Sequence, residues 1–397
     1  MKAPELLSGQ DILILSPSEW RDNAVSNMQI AALLSDRNKV VYVETMGSRM
    51  PRLSELGRVW ERLKRIVGGA TARGGHRGLD PRRVTILSPF AVPLHGNRVV
   101  DWFNQRILVF QVKRLMRRLG MRRPIIWSFS PRWEPVVEDL ERRCLIFHCV
   151  DALHTYDASP VFRARFERTV CRADMVFTPG VLLEQELHRL NPATHRIGHG
   201  CGSDHLDYRD DGGIPADLRS TPEPRVIYAG TLANWVDYRL LTDVAGCLPE
   251  ISFLLVGYVH ALAPREDVRL LRSLPNVHHL GYKDFADLPL YYRCSAVGIV
   301  PYQADNEHIL YSSPTKFLDY VAAGLPVVST RFPAAETMQP MVYCADTAEE
   351  FAAAIEKAIA DNSPGRAAQR RAYASAHTWE RQVAKMCGHI RRHLNGG

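Results

Sequence analysis

No run of about 18 uncharged apolar residues occurs anywhere in the 397-residue chain, so no membrane-crossing helix is expected. There is no CxxC pair and no Cys/His spacing suited to a metal. The eight cysteines, at 144, 149, 171, 201, 247, 294, 344 and 387, are scattered, mostly in or beside expected strands and helices. This pattern argues against a disulfide framework and a zinc site, and predicts reduced core thiols in a cytosolic protein. Low-complexity tracts and internal sequence repeats are also missing. The N-terminus, "MKAPELLSGQDILILSP", flanks its short apolar strand with acids and does not read as a secretory leader.

Acids are scarce in the first half. Residues 1–200 carry 31 Lys and Arg against 20 Asp and Glu, a net +11, while the rest is net −4. So basic a half suits an anionic partner: nucleic acid, a phospholipid surface or a pyrophosphate-bearing substrate. Charge alone does not choose among them. Nucleic acid would call for basic residues interleaved with exposed aromatics, or a known binding module, and neither is found.

Composition is otherwise that of a soluble globular chain, with 46% hydrophobic and 23% charged residues. The length suits two domains, each with its own core. Short apolar runs alternate with helical patterns. Strands are expected at 11–17, 39–45, 84–89, 124–130, 144–150 and 173–179, and again at 225–230, 252–257, 276–281, 296–302, 326–330 and 341–346. Continuous apolar strands separated by helices imply α/β architecture, a parallel sheet covered on both faces. The polar segment "DYRDDGGIPADLRSTPEPR" interrupts the alternation. The expected organisation is therefore two doubly wound, Rossmann-like domains facing a cleft. The first covers 1–208, a linker 209–224 and the second 225–376, with an amphipathic terminal helix at 377–397. Ligands in such sheets bind at the carboxyl ends of the strands, and the cleft between two domains is the natural active site.

One stretch carries the chemistry furthest: "SSPTKFLDYVAAGLPVVST", residues 312–330. Pro314 suits the first turn of a helix, and Ser312 and Ser313 suit its cap. The helix opening then offers backbone N–H groups and a positive dipole end to an anion, and Lys316 adds a full charge. Asp319 shares a face with Lys316 and can accept two hydroxyls, as a ribose presents. Equally, the stretch can be a capped helix with a surface Lys–Asp pair. Gly230 and Thr231 follow the strand "RVIYA", and glycines recur at two further strand ends, in "LLVGY" and "HLGYKD". Three such turns at one sheet edge argue for a ligand edge better than any single one.

In the first half, the strand "CLIFHCV" runs into Asp151, with His148, His154 and Asp157 nearby. A carboxylate at a strand end can act as a general base or can cap a helix. His148, inside the apolar run, reads as a core histidine. "SPSEWRDNAVSN" puts Trp20, Arg21 and Asn23 in a strand-end loop, where an aromatic can stack on a sugar or plug the core. The stretches 58–69 and 112–123 are basic. The first is amphipathic, fit to lie on an anionic membrane or to pack on the domain core.

The runs "RVIYAGTLANWVDYRLLTDVAGCLPEISFLLVG", "NVHHLGYKDFADLPLYYRCSAVGIVPY" and "SSPTKFLDYVAAGLPVVST" resemble the nucleotide-sugar domain of GT-B glycosyltransferases. "RADMVFTPGVLLEQEL", "HRIGHGCGSDHLD" and "HTWERQV" resemble the segments that close the acceptor domain and cross back to it. The teichuronic-acid and exopolysaccharide enzymes and the xanthan glucuronosyltransferase are the most similar subgroups. The resemblance implies that Ser312, Ser313, Thr315 and Lys316 hold a diphosphate and that Asp319 meets the ribose or a neighbouring nucleotide group. It places Leu232, Tyr282, Lys283 and Tyr302 around the base or donor sugar, with Gly230 and Thr231 also donor-binding. Trp20 and Asn23 would bind acceptor, and Asp151 would deprotonate its hydroxyl. Where the retaining pattern has two glutamates, this chain has Tyr311 and Asp319, which favours inversion. No acidic metal-binding pair stands in a strand-end setting, so no metal and no cofactor are expected.

The resulting expectation is a cytoplasmic glycosyltransferase, peripheral on the inner face of the plasma membrane. It would use a nucleotide-sugar, a UDP-sugar by preference, and a glycan or polyprenyl-diphosphate-linked acceptor, and would bind no nucleic acid. The alternatives are a sugar-nucleotide epimerase of similar fold, a nucleic-acid-binding protein and an inactive partner subunit.

Overall fold

The computed structural model describes residues 5–20, 26–45, 83–89, 98–152, 159–202, 206 and 213–396. The basic stretch 58–69 lies outside them, as do Arg21, Asn23, His154 and Asp157. The chain divides into two compact units. One comprises Met1–Pro179, Leu183–Ile197 and Gln382–Gly397, and the other Gly180–Leu182 and Gly198–Arg381.

The first unit holds a seven-stranded sheet: β1 (Asp11–Leu15), β2 (Lys39–Val43), β3 (Val84–Leu87), β4 (Ile125–Ser128), β5 (Cys144–His148), β6 (Met175–Thr178) and β7 (Thr194–Arg196). All pairings are parallel, in the order β3-β2-β1-β4-β5-β6-β7. β4, β5 and β6 are buried along their whole length, as a sheet covered on both faces requires. The long helix Arg98–Arg118 buries Leu108, Val112 and Met116. β7, only three residues long, has no expected counterpart.

The second unit holds β8 (Arg225–Ala229), β9 (Ser252–Val256), β10 (Val277–Gly281), β11 (Val297–Val300), β12 (Val327–Thr330) and β13 (Val342–Ala345). The order is β10-β9-β8-β11-β12-β13, again parallel. All six match expected strands. In both sheets the first strand lies inside, and the strand order reverses beside it, between β1 and β4 and between β8 and β11. Such a reversal opens a crevice at the strands' carboxyl ends.

The described part of the segment expected to link the domains, 213–224, is packed onto the second unit instead. Leu218 is fully buried. Asp217 receives hydrogen bonds from Tyr291 (3.1 Å) and an ion pair from Lys283 (2.8 Å). Arg225, 6% exposed, donates to the Thr221 carbonyl at 2.8 Å. The change of unit falls earlier, at Ile197/Gly198, where Cys201 N donates to His377 O (3.0 Å). Gly200 is needed there, because a Cβ would overlap the Trp379 backbone. Polarity along 213–224 marks exposure, not a junction.

The terminal helix Trp379–Gly396 buries Val383, Met386 and Ile390. Within the first unit its His389 ring lies 3.8 Å from His195 of β7 and 6.2 Å from Phe177. Cys144, Cys149, Cys201 and Cys387 are buried thiols, whereas Cys171 and Cys247 are exposed.

Candidate functional site

At the reversal in the second sheet, β8 ends in Gly230, β9 in Gly257 and β10 in Gly281, with φ of 150°, 140° and 69°. These values favour glycine, because a Cβ would collide with its own backbone. The turns also touch one another. Gly230 N donates to Val256 O and Gly257 N to Gly281 O, both at 2.8 Å. A Cβ on Gly257 would overlap the Gly230 carbonyl and stand 2.8 Å from its carbon. Leu232 N donates to Tyr258 O (3.0 Å), and His260 N to Leu232 O (2.9 Å). The three glycines therefore form one stepped edge of main chain.

Lys316 reaches this edge from the helix Lys316–Ala323. A Cβ on Gly230 would come within 2.7 Å of the lysine Nζ. The ammonium lies 4.0 Å from the ring centroid of Tyr228 and 4.9 Å from that of Tyr302. Two tyrosine faces hold a cation without neutralising it, which leaves its charge available to an anion. The rings are themselves fixed. Tyr228 Oη donates to Thr231 O at 2.8 Å, and the Tyr228 and Tyr302 rings meet edge to face with centroids 6.5 Å apart. Burial first, then Tyr302 and Tyr320, pushes the Tyr228 phenol well above its ordinary range, so it is neutral. Behind it, Tyr320 Oη accepts Ala229 N at 2.8 Å. Its ring occupies space that a Cβ on Gly298 would enter at 2.5 Å.

The mouth of this helix differs from the expected one. Thr315 is the N-cap, in αR conformation and without a side-chain cap bond, and Pro314 precedes it. The N–H groups of Phe317, Leu318 and Asp319 already donate to the carbonyls of Pro314 and Thr315 (3.4, 2.9 and 3.2 Å). Ser312 caps the preceding helix Glu307–Tyr311 instead, its Oγ donating to Ile309 O at 2.9 Å. The serines therefore do not cap this helix. Ser313 is half-buried and Thr315 exposed, beside the mouth. With two of the four first-turn amides engaged, the Lys316 charge carries a larger share of the positive potential.

Asp319 does not form a surface pair with Lys316. It is 6% exposed and lies inward, towards Cys201, Tyr292 and Tyr320. Burial and then the Asp319 charge raise the Cys201 thiol to about 12. Leu232 is 1% exposed, and its N–H and carbonyl are already bonded to Tyr258 and His260. Tyr282, at the end of β10, is 54% exposed. Lys283 is turned to Asp217 and is held protonated by that bond. Tyr302, 6% exposed, packs against Phe332 and exchanges hydrogen bonds with Thr330. The second unit thus brings Gly230, Thr231, Tyr302 and Lys316 together, while Lys283 and Asp319 are engaged in other directions.

In the first unit, the carboxyl ends of β1–β3 carry a polar cluster that the sequence reading missed. Glu44, 1% exposed, accepts from Ser88 Oγ and from Trp20 N (2.8 Å). Asn27 Nδ2 donates to Ser16 Oγ (2.9 Å) and Ser18 Oγ (3.2 Å), and Ser16 bonds to Tyr42 Oη at 2.7 Å. Burial, the largest influence, puts the Tyr42 phenol at about 12. Trp20 packs edge-on against Tyr42 at 4.9 Å. Asp151 is half-buried beyond β5, and its carbonyl accepts from Cys149 Sγ (3.2 Å). His148 is a core histidine, stacked on Phe129 at 4.8 Å and accepting from Trp127 Nε1 at 3.4 Å.

Comparison with known proteins accords with this geometry. Residues 223–361 match the family described as "Glycosyl transferases group 1". A provisionally named teichuronic acid biosynthesis glycosyltransferase, TuaH of Bacillus subtilis (strain 168), is 32% identical over 176 residues. That match covers 42% of this chain, and the chain spans only 43% of that relative's length. Among solved structures, Anabaena Alr3699/HepE in complex with UDP aligns at a TM-score of 0.65 and 16% identity, over 98% of this chain and 100% of the other. Sucrose-phosphate synthase (tll1590) from Thermosynechococcus elongatus aligns at 0.69 and 17% identity, over 98% and 99%. Identities this low speak to the fold, which is GT-B.

Proposed function

We propose that this chain, with a glycosyl transferase group 1 domain at residues 223–361 on a GT-B fold, moves a sugar from a UDP-sugar to a glycan or polyprenyl-diphosphate-linked acceptor. The product would belong to surface polysaccharide or glycolipid assembly, and the sugar would be a hexosyl or glucuronosyl unit. One observation carries the reading: the Lys316 ammonium, held by two tyrosine faces against the Gly230 main chain at the sheet's switch point. A diphosphate meets that charge and the Gly230–Thr231 main chain there. The exposed Tyr282 ring offers a stacking surface to the base or sugar. The UDP complex of a similarly folded protein and the name of the Bacillus relative support this choice of donor and product class.

Transfer would proceed by direct displacement. The acceptor oxygen forms a bond to C1 of the sugar as the bond from C1 to the diphosphate oxygen breaks. The electron pair leaves on the diphosphate, and the acceptor proton passes to the Asp151 carboxylate. Lys316 offsets the charge that grows on the leaving group, which is the service a divalent cation performs elsewhere, so the step needs no metal. Tyr311 stands where a retaining enzyme would carry its first acid, and the product is accordingly expected to be inverted.

Calorimetric titration with UDP, GDP and ADP tests the donor site, with UDP expected to bind and the others to bind more weakly. Absence of UDP binding would overturn the proposal. The anomeric configuration of the product, read by NMR, tests inversion. Conversion of the donor without any acceptor would point to an epimerase.

A further inference from the structure

We propose that Cys144, Asp174 and His393 bind a zinc ion that fastens the terminal helix to the amino edge of the first sheet. The three residues come from separate parts of the first unit. Cys144 opens β5, Asp174 immediately precedes β6, and His393 lies in the last turn of the helix Trp379–Gly396. The fold brings one ligand atom from each, a thiol sulfur, a carboxylate oxygen and an imidazole nitrogen, to within 4.8 Å of one another. Among the described residues no other three His, Cys, Asp or Glu side chains converge in this way. Sequence spacing hides such a site, because no two of its ligands share a local motif.

The ligands are placed before any ion arrives. β5 and β6 are parallel neighbours, and Asp174 is tied to the start of β5 twice. Its N–H donates to Leu145 O at 2.9 Å, and its Oδ2 accepts Leu145 N at 2.7 Å. The second bond orients the carboxylate, as partners of metal ligands commonly do, and leaves Oδ1 for another contact. That oxygen lies 3.9 Å from His393 Nε2. With zinc–ligand bonds of about 2.0–2.3 Å in a tetrahedron, neighbouring ligand atoms stand about 3.4–3.6 Å apart. The His–Asp separation is thus about half an ångström from its bound value, and the His393 side chain, 39% exposed, can turn to close the gap. Cys144 is fully buried, whereas Asp174 and His393 are exposed, so the site has a closed floor and an open approach.

The donor set selects the ion. Zinc accepts thiolate and imidazole, whereas calcium and magnesium take oxygen ligands. Burial first, then Asp174, raises the Cys144 thiol to about 12, so binding releases the thiol proton to solvent as the zinc–sulfur bond forms. Water would fill the fourth position. Asp151 lies beyond the opposite end of β5, about 20 Å along the strand direction, so the ion is structural and takes no part in transfer.

Titration of the reduced, metal-free chain with zinc against a chromophoric chelator tests the site. One zinc per chain should bind with a Kd below about 10 μM, and magnesium and calcium should not bind. Cobalt(II) in place of zinc should give a thiolate-to-cobalt charge-transfer band and the visible bands of tetrahedral coordination. His393→Gln and Asp174→Asn should each weaken zinc binding at least about tenfold, and Cys144→Ser should also remove the charge-transfer band. Metal-free His393→Gln should unfold at the wild-type temperature, because the side chain is partly exposed. Zinc should then raise the Tm of the wild type and not of that variant. Failure of the wild type to bind zinc would overturn the inference and leave His393 and Asp174 as an ion pair. So would a cobalt spectrum without the thiolate band, or unchanged affinity in His393→Gln and Cys144→Ser, which would put the ion elsewhere. UDP titration of the same samples separates this site from the donor site, since UDP affinity should be the same with and without zinc. Loss of UDP binding in every sample would remove the donor reading and leave the zinc site standing.

Discussion

Replacing Lys316 by alanine isolates the charge on which the donor site depends. In the unliganded protein the ammonium is held 4.0 and 4.9 Å from two ring centroids, contacts worth about 0.5–2 kcal/mol each. The variant should lose about that order of folding stability. Its effect on ligand binding is separate and larger. A hydrogen bond from a charged group to a diphosphate is worth about 1.5–3 kcal/mol, which corresponds to roughly 10- to 150-fold in Kd. Because the rings already fix the ammonium, little rotamer entropy is lost on binding, so the upper part of that range is expected. The charge concerns the diphosphate and not the base. UDP affinity should therefore fall by the full factor, uridine affinity should hardly change, and UMP should lie between them. Lys316→Met keeps the apolar stem and loses the charge, and it should behave like alanine in UDP binding while recovering part of the stability. Isothermal titration with the three ligands, with denaturant unfolding of each variant, reads both effects. Equal losses for uridine and UDP would show a damaged fold instead of a missing charge. Unchanged UDP affinity would refute the site.

Gly257→Ala should destabilise the protein by at least about 1–3 kcal/mol in denaturant titration, because its Cβ would overlap the Gly230 carbonyl at a φ of 140°. Gly230→Ala is strained at a φ of 150° and also meets the lysine ammonium at 2.7 Å, so it should lower both folding stability and UDP affinity. Asp151→Asn should keep UDP affinity and lower transfer by about 10²–10⁴-fold in a steady-state assay, and normal turnover would remove Asp151 as base. Burial, then His195 and Arg392, depresses the His389 pKa from 6.5 to about 4. As pH falls below 6.5 the unfolded chain takes up this proton before the folded one, so stability should decline between pH 6.5 and about 4 and level off below. His389→Gln should lessen the slope of that part of a Tm-against-pH curve, His199, also depressed to about 4 by burial, sustaining the rest, and an unaltered slope would exclude His389 as a cause.

The sheets were legible because their strands are short apolar runs buried on both faces, and that burial imposes composition residue by residue. β7 escaped because three residues carry no such signature. Within the expected linker, the described residues 213–224 show that polarity reports exposure and not looseness: Asp217 is anchored by Lys283 and Tyr291 while Leu218 is fully buried. The stepped glycine edge was visible, since glycine after a strand announces a φ that other residues avoid. Its partner Tyr228 was not, because a tyrosine inside "RVIYA" reads as core until its hydroxyl and ring face acquire neighbours. Ser312 shows a further limit. A serine between two helices can cap the end of one or the start of the other, and only the chain path decides. For the same reason Asp319, one turn beyond Lys316, could not be assigned to the surface or the interior from spacing.

These placements change where the positive potential of the donor site originates. A helix mouth with four open amides would attract phosphate through the backbone, and any residue could stand at position 316. Here two of those amides, of Phe317 and Leu318, are bonded within the first turn, so the backbone contribution is reduced. The lysine has to supply the charge, and the lysine requires a support that does not compete for it. A carboxylate would neutralise it, whereas two tyrosine faces, one of them anchored by its hydroxyl to Thr231, do not. The Tyr228–Tyr302 platform, Tyr320 behind it and the missing Cβ of Gly298 are thus successive consequences of one demand, an ammonium held in place and left unpaired at the sheet's switch point.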